Sequence, residues 1–353
     1  MQPLVITQID FLPFKIPFLV PLTIAGNTFY ERKGFYLSIR TADGLSVQSE
    51  IAPLEGFSLE TIQRTKHDLK ETPSYLMELA IPRQKDELLD MLRQEPNILN
   101  ACGSVRFAVE GAILMLAAKA ANQSLVEFLG ADLKDIYSAV LLQGSYQEVI
   151  SDFKRFSERG FKVFKLKVGD RNIALDVKKV SDIRILLAQD SYLRLDGNRK
   201  WSLKEACIFA DLVGNQKIDF IEEPISDVSQ LDAFYRQTHM RVALDETLTV
   251  VKSAMRAPAR CSSPLAMHEG VVAYILKPMI LGLIPTLDWI NEAKLLKRKA
   301  IISSAFESPV GFKVLANLAC LSGQIAGLGT ERWFKNNHPI VSEDGSIKKE
   351  SLI

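Results

Sequence analysis

Apolar and polar side chains alternate from residue 4 to 16 (LVITQIDFLPFKI), and residues 34–54 (GFYLSIRTADGLSVQSEIAPL) hold two more β-rich runs on either side of Asp43-Gly44. A period of two marks a half-buried strand, and Asp-Gly between two such runs marks a hairpin. From Ser58 to about Leu99 the apolar spacing changes to three and four, as in LETIQRTKHDLKE and KDELLDMLRQ, with breaks at Pro73, Pro82 and Pro96. Residues 1–100 are therefore expected to form an α+β unit of three strands followed by helices.

Past Ser104 the chain opens with a strongly apolar helical stretch, VRFAVEGAILMLAAKAA, and then repeats a strand-then-helix rhythm. The strand candidates are AVLLQ, VFKLKV, YLRLD, DFIEE, RVALD, VAYILK and AIISS. Amphipathic stretches such as RNIALDVKKVSDIRILLA, SLKEACIFADLVG and PTLDWINEAKLLKRK lie between them. This alternation predicts a parallel sheet with covering helices. The number of units favours a closed TIM-type (β/α)7β barrel over an open doubly wound sheet, and no G-x-G-x-x-G follows the early strands. The expected layout is a capping domain over 1–100, a barrel carrying the site over 101–329, and a tail over 330–353.

Composition narrows the function. The 353 residues are 47% hydrophobic, with 43 basic against 42 acidic side chains. That is enough apolar material for a large core, and the balance gives no field for nucleic acid or an anionic membrane. A small-molecule ligand is the expected partner, with neither nucleic acid nor membrane; the pattern does not distinguish a monomer from a homo-oligomer. Four scattered cysteines (Cys102, Cys207, Cys261, Cys320) argue against a disulfide framework or thiolate metal site, and a reducing cytoplasm fits them. The proline-broken start lacks the form of a signal peptide, and no run is long enough to span a bilayer.

Charge gathers at the C-terminal ends of the predicted strands: Lys165 and Lys167, Arg194 and Asp196, Glu222 and Glu223, Asp245 and Glu246, and Lys277. Residues i and i+2 share one side of a strand, so both amines of KLK face the same way. A parallel barrel collects all these ends on one rim, where enzymes of this architecture place their chemistry. Any one such charge is equally well explained by a strand reaching the surface. As a set they say more, because Asp196, Glu222 and Asp245 recur at intervals of one strand-helix period. Three carboxylates held together repel one another unless a hard cation binds them, and all-oxygen ligation selects Mg²⁺, with Mn²⁺ as a substitute, over Zn²⁺. The four histidines show no ligand spacing, which leaves lysine as the candidate base. An amine beside a second ammonium and a divalent ion loses its proton more readily, the role expected of Lys165 toward Lys167. Such a rim suits removal of a proton α to a carboxylate.

In the order KLK (165–167), LDGNRKW (195–201), IEEP (221–224), LDET (244–247) and ILKP (275–278), the strand ends resemble the enolase superfamily in its muconate-cycloisomerase-like subgroup. SEIAPLEGFSLET (49–61) and ISSAFESPVG (302–311) resemble segments of its o-succinylbenzoate synthase family, dehydratases of menaquinone biosynthesis. The resemblance implies a modified TIM barrel with an N-terminal cap, and Mg²⁺ held by Asp196, Glu222 and Asp245. It implies Lys167 as the base that also protonates the leaving hydroxyl, with Lys165 and Lys277 as charged partners. Ser303, Ser304 and Gly327 would hold the substrate's succinyl carboxylate, with Arg194 and Asn198 as further substrate-facing residues. Gly26–Arg32 and Pro53–Phe57 would form lid loops, and the tail would return to the cap.

The same rim also suits an N-acylamino acid racemase or a cycloisomerase. A non-catalytic ligand-binding barrel has no need of the intact set, and a metal-free Schiff-base lyase has no use for three carboxylates. The segment VVKSAMRAPARCSSPLAMHEG is bulkier than the family pattern, and IAGLGTE lacks the D-x-D of dipeptide epimerases. Trp201, Trp289 and Trp333 read as core or lid packing, and Lys294–Lys299 as a solvated helix end.

Overall fold

The computed structural model describes residues 2–352 except 25, 59, 171, 250–267 and 336–339. The first strands are β1 (Leu4–Ile24), β2 (Asn27–Thr41), β3 (Ser46–Ile51) and the two-residue β4 (Ala80–Ile81), in an antiparallel sheet of order β3-β2-β1-β4. β4 covers β1 only at Leu4 and Val5, so Pro13, Pro17 and Pro21 lie beyond its reach on an edge strand, where a residue without an N–H is tolerated. The ladder between β1 and β2 shifts register between Pro17 and Leu22, so the far end of this hairpin follows its own course toward the barrel.

Seven parallel strands follow: β6 (Val140–Leu142), β7 (Val163–Lys167), β8 (Tyr192–Asp196), β9 (Ile218–Glu222), β10 (Val242–Leu244), β11 (Val271–Leu276) and β12 (Lys299–Ile302), adjacent in chain order. They coincide with the seven runs expected from sequence. The eighth stave is minimal. Ala326 bridges Ser138, and Gly327 bridges Ser303, so residues 326–327 join the first and last strands and complete a (β/α)7β architecture. An added Cβ on Gly327 would stand 3.1 Å from the Ser303 hydroxyl, which explains a glycine at this seam. Serine N-caps paired with Glu148 and Glu205 start helices 146–158 and 203–213, a signal present in the sequence as SYQE and SLKE.

Cap and barrel share one core. Helix 103–120 is buried along most of its length, and residues of the sheet (Leu37, Ile51), this helix (Ile113, Leu116) and the barrel (Leu166, Leu195, Leu276) belong to a single apolar cluster. A second cluster of Phe18, Leu22, Leu54, Phe306 and Phe334 seals the hairpin of β1 and β2 against the barrel mouth.

The tail departs from expectation beyond residue 335. Phe334 bridges Phe18, and the Lys335 N–H donates to the Pro17 carbonyl, both on β1. Residues 346–352 return instead to the barrel side. There β13 (Ser346–Ile347) pairs with β5 (Ile136–Tyr137), and Asn317 Nδ2 donates to the Leu352 carbonyl. Ile347 and Leu352 are buried in the main core, whose apolar burial holds this end in place. The bulky stretch after Val250 lies outside the described residues as far as Met267. No helix among the described residues is long and apolar enough to cross a membrane.

Candidate active site

Ladder register sets the rim. Lys167 pairs with Asp196, Asp196 with Glu222, and Glu222 with Ala243, so three charged side chains stand level at the ends of adjacent strands. Asp245 and Lys277 follow immediately after β10 and β11. All five, with Lys165, line a cavity of about 740 Å³ at the C-terminal end of the barrel, within the usual range for a small-molecule site.

Lys165 Nζ lies 2.9 Å from Asp196 Oδ2 and 2.7 Å from Glu222 Oε2, and Lys277 Nζ contacts Asp245 Oδ2. The Lys277 ammonium also sits 4.4 Å from the centroid of Phe57. Burial works against the Lys165 ammonium, but Asp196, Glu222 and Asp245 outweigh it and raise its pKa. Lys277 follows the same pattern, with Asp245 and Glu246 as the main partners. Asp196 is desolvated too, yet Lys165 and Lys167 hold its carboxyl below the usual range. Glu222 goes the other way. Burial, then the negative charge of Asp196, lifts its carboxyl well above the ordinary value despite Lys165.

Among the described residues no three His, Cys, Asp or Glu side chains are arranged as a ready metal cage. The ammonium groups of Lys165 and Lys277 lie on the carboxylate oxygens instead. The donor set still fits a hard divalent cation: three buried carboxylates from neighbouring strand ends, all oxygen, one of them raised in pKa by burial and by the charge of Asp196. Glu223, next to Glu222, faces away. With φ +43° it accepts from the N–H groups of Asp245 (2.8 Å) and Thr247 (2.9 Å), and so fixes the turn that presents Asp245. Burial pushes this carboxyl up to about 7.

Lys167 Nζ donates to Asn198 Oδ1 at 2.8 Å and stands 3.8 Å from Asp196 Oδ2. Ser303, Ser304 and Gly327 line the opposite wall of the cavity with Thr330. The Ser304 hydroxyl donates to Glu307 Oε2 (2.6 Å), and its N–H to the Gly327 carbonyl (3.0 Å), so Ser304 is tied into the loop. Arg194 lines the cavity, with Nε donating to Asp219 Oδ2 (3.3 Å) and Nη1 to the Ile325 carbonyl (2.8 Å), so the same side chain also ties the barrel together.

The lid also differs in detail from expectation. Pro21 to Ile24 of β1, with Gly56 and Phe57, reach the cavity. Arg32, the last residue of the expected lid loop, is buried instead and donates to the carbonyls of Phe306 (3.0 Å), Pro53 (2.6 Å) and Ala52, clamping cap to barrel. Glu50 completes the clamp by accepting from the Ser308 N–H (2.9 Å) and the Gly311 N–H (2.9 Å). Trp333 lines the cavity beside Phe306, whereas Trp201 packs on Phe209 and Trp289 on Tyr274 in the core.

Residues 148–262 match the enolase C-terminal domain-like family. The o-succinylbenzoate synthase of Aliivibrio salmonicida is 30% identical over 329 residues, covering 91% of this chain and 90% of that protein. The chloroplastic protein PHYLLO of Arabidopsis thaliana is 26% identical over 94% of this chain, which spans only 21% of that longer protein. Among solved structures, a dipeptide epimerase from Methylococcus capsulatus, complexed with Mg and a dipeptide, superposes with a TM-score of 0.78 at 22% identity, over 99% of this chain and 97% of that one. At that identity the superposition bears on the fold. The chain belongs to the enolase superfamily.

Proposed function

We propose that the protein catalyses the Mg²⁺-dependent syn-dehydration of a succinyl-hydroxycyclohexadiene carboxylate to o-succinylbenzoate, through an enediolate. The observation that carries this reading is the two-sided rim: Lys167 stands free of any ion pair shorter than 3.8 Å, while Lys165 and Lys277 are each bound to a carboxylate. Similarity to o-succinylbenzoate synthases over 91% of the chain supports this substrate class.

In this reading Asp196, Glu222 and Asp245 would hold Mg²⁺, which would supply positive charge for the substrate carboxylate. Lys167 Nζ takes the α-proton, and the electron pair of that C–H bond moves onto the carboxylate to form the enediolate. The same ammonium then returns a proton to the β-hydroxyl, the C–O bond breaks, water departs and the ring becomes aromatic. Lys165 and Lys277 stay protonated and offset the accumulating negative charge. Ser303 and Gly327 receive the succinyl carboxylate, and Phe57, Phe306 and Leu22 exclude water above the ring. A cytoplasmic location belongs to the same reading.

A second reading, N-acylamino acid racemase or cycloisomerase, is favoured by one feature. Lys167 and Lys277 approach the cavity from strands four places apart, as a two-base proton transfer requires. Incubation with the cyclohexadiene substrate, with and without EDTA, separates the two: metal-dependent growth of aromatic absorbance supports dehydration. No turnover, together with rapid racemisation of N-acylamino acids, supports the alternative. Lys167→Ala should abolish α-proton removal while leaving Mg²⁺ affinity nearly intact, and wild-type activity in that variant would remove Lys167 from its role.

A further inference from the structure

We infer that Glu246 is a positioning residue that acts through Asn198 to hold the Lys167 amine off Asp196. This rests on the reading of Lys167 as the base.

Two acceptors compete for Lys167. The Asn198 amide oxygen has it at 2.8 Å, and Asp196 Oδ2 lies at 3.8 Å. Asp196 Oδ2 already accepts from Lys165 at 2.9 Å, but a carboxylate can take a second ammonium and is a stronger partner than a neutral amide, so a held amide oxygen helps keep Lys167 at the nearer place. An Asn amide offers an acceptor on one side and donors on the other, and the contact made by its nitrogen decides which side faces the lysine. Here Asn198 Nδ2 faces Glu246 Oε1 at 3.4 Å. A carboxylate accepts and does not donate, so Glu246 suits the amide nitrogen alone, and Oδ1 is left for Lys167.

The backbone makes the same point independently. Asn198 and Arg199 are consecutive non-glycine residues in the left-handed region (φ +44° and +59°), a conformation that persists only where its surroundings enforce it. Asn198 N–H donates to Asp196 Oδ1 (3.1 Å), and Arg199 N–H to the Glu223 carbonyl (2.8 Å). The turn is thus anchored to the strand ends on either side, and it delivers the amide into the gap between Lys167 and Glu246.

Glu246 also adds charge near Lys277, but among the described residues its only side-chain hydrogen bond is the one to Asn198. It lines the cavity, its Oε2 is buried with no hydrogen-bond partner, and the neighbouring Asp245 is already taken by Lys277. A partly buried carboxylate whose one side-chain hydrogen bond among the described residues is to the Asn198 amide fits a role exerted through that amide.

The test compares Glu246→Leu with Glu246→Gln, whose side-chain oxygen can still accept from Asn198 Nδ2. The Leu variant should lose about 100-fold in kcat, the scale of a displacement near 1 Å at a reacting group, with KM little changed. Its primary deuterium isotope effect at the α-carbon should rise, because proton removal becomes the slowest step; a loss of correctly folded enzyme would lower kcat and leave that effect unchanged. The Gln variant should stay close to wild type. A crystal structure of the Leu variant should show Lys167 Nζ drawn within ion-pair distance of Asp196. An unaltered isotope effect, a Gln variant as impaired as Leu, or a Lys167 still on Asn198 would each overturn the inference. If the wild type does not dehydrate the cyclohexadiene substrate, the functional reading fails, while the crystallographic comparison still decides the positioning.

Discussion

Glu307 should impose a pH dependence on stability that a single substitution removes. It lies in the loop after β12, is 2% exposed, and accepts from the Ser304 hydroxyl (2.6 Å) and the Ala305 N–H (2.8 Å). Burial lifts its carboxyl from the usual 4.5 to about 7, with Glu50 adding to the rise and Ser304 and Arg32 opposing it. Below pH 4.5 folded and unfolded chains both hold the proton, and the stabilising contribution is complete. Between 4.5 and 7 the unfolded chain releases the proton while the folded one keeps it, so stability falls as pH rises, and above 7 the loss is complete. A pKa difference of about 2.5, at about 1.4 kcal/mol each, comes to roughly 3 kcal/mol. At an unfolding entropy near 2.1 cal/mol/K per residue, that is about 4–5 °C in Tm for a chain of this length. Glu307→Gln is uncharged throughout, so calorimetric scans from pH 4.5 to 8 should show its Tm gaining about that much on wild type. Glu223 titrates over the same range but is present in both proteins and cancels. Any loss from a weaker acceptor is constant with pH. A Tm difference that stays flat across this range would refute the argument.

Three further outcomes are expected. Asp245→Asn should weaken Mg²⁺ binding at least about tenfold, some 1.4 kcal/mol, in calorimetric titration, with the fold retained. Arg32→Met leaves the carbonyls of Ala52, Pro53 and Phe306 without their buried donor, and should cost about 3 kcal/mol or more in thermal or urea unfolding while raising KM as the cap loosens. Phe57→Leu removes the ring over Lys277 and should lower kcat/KM by about 0.5–2 kcal/mol in transition-state terms without changing Tm appreciably; unchanged kinetics would show that this contact is incidental.

The barrel strands were legible because each is a short apolar run ended by a polar or charged residue, and strand periodicity makes the side of each charge readable. The same logic reaches Lys165, Lys167, Asp196 and Glu222, which the ladder register sets side by side. It stops where position depends on backbone that follows no period. Glu223 reads as a twin of Glu222, but φ +43° at that residue turns it to the next strand's loop. Arg194 reads as a substrate contact from its place beside Asp196, yet its partner Asp219 lies 25 residues away on β9, a pairing that only the closed sheet creates. Arg32 and Glu50 meet residues more than 250 positions distant, so no local pattern marks them as a clamp. Trp333 illustrates the same limit, because its neighbour Phe306 sits on a separate loop with φ +64°.

The stacked rings of Phe18 and Phe334, 5.1 Å between centroids, join two segments more than 300 residues apart, the first translated long before the second. The roof over the reaction chamber therefore cannot be seated until residue 335 has emerged. A nascent chain halted short of that point would carry a nearly complete barrel beneath an unsecured hairpin, so competence should arrive abruptly once that segment is in place rather than growing with length.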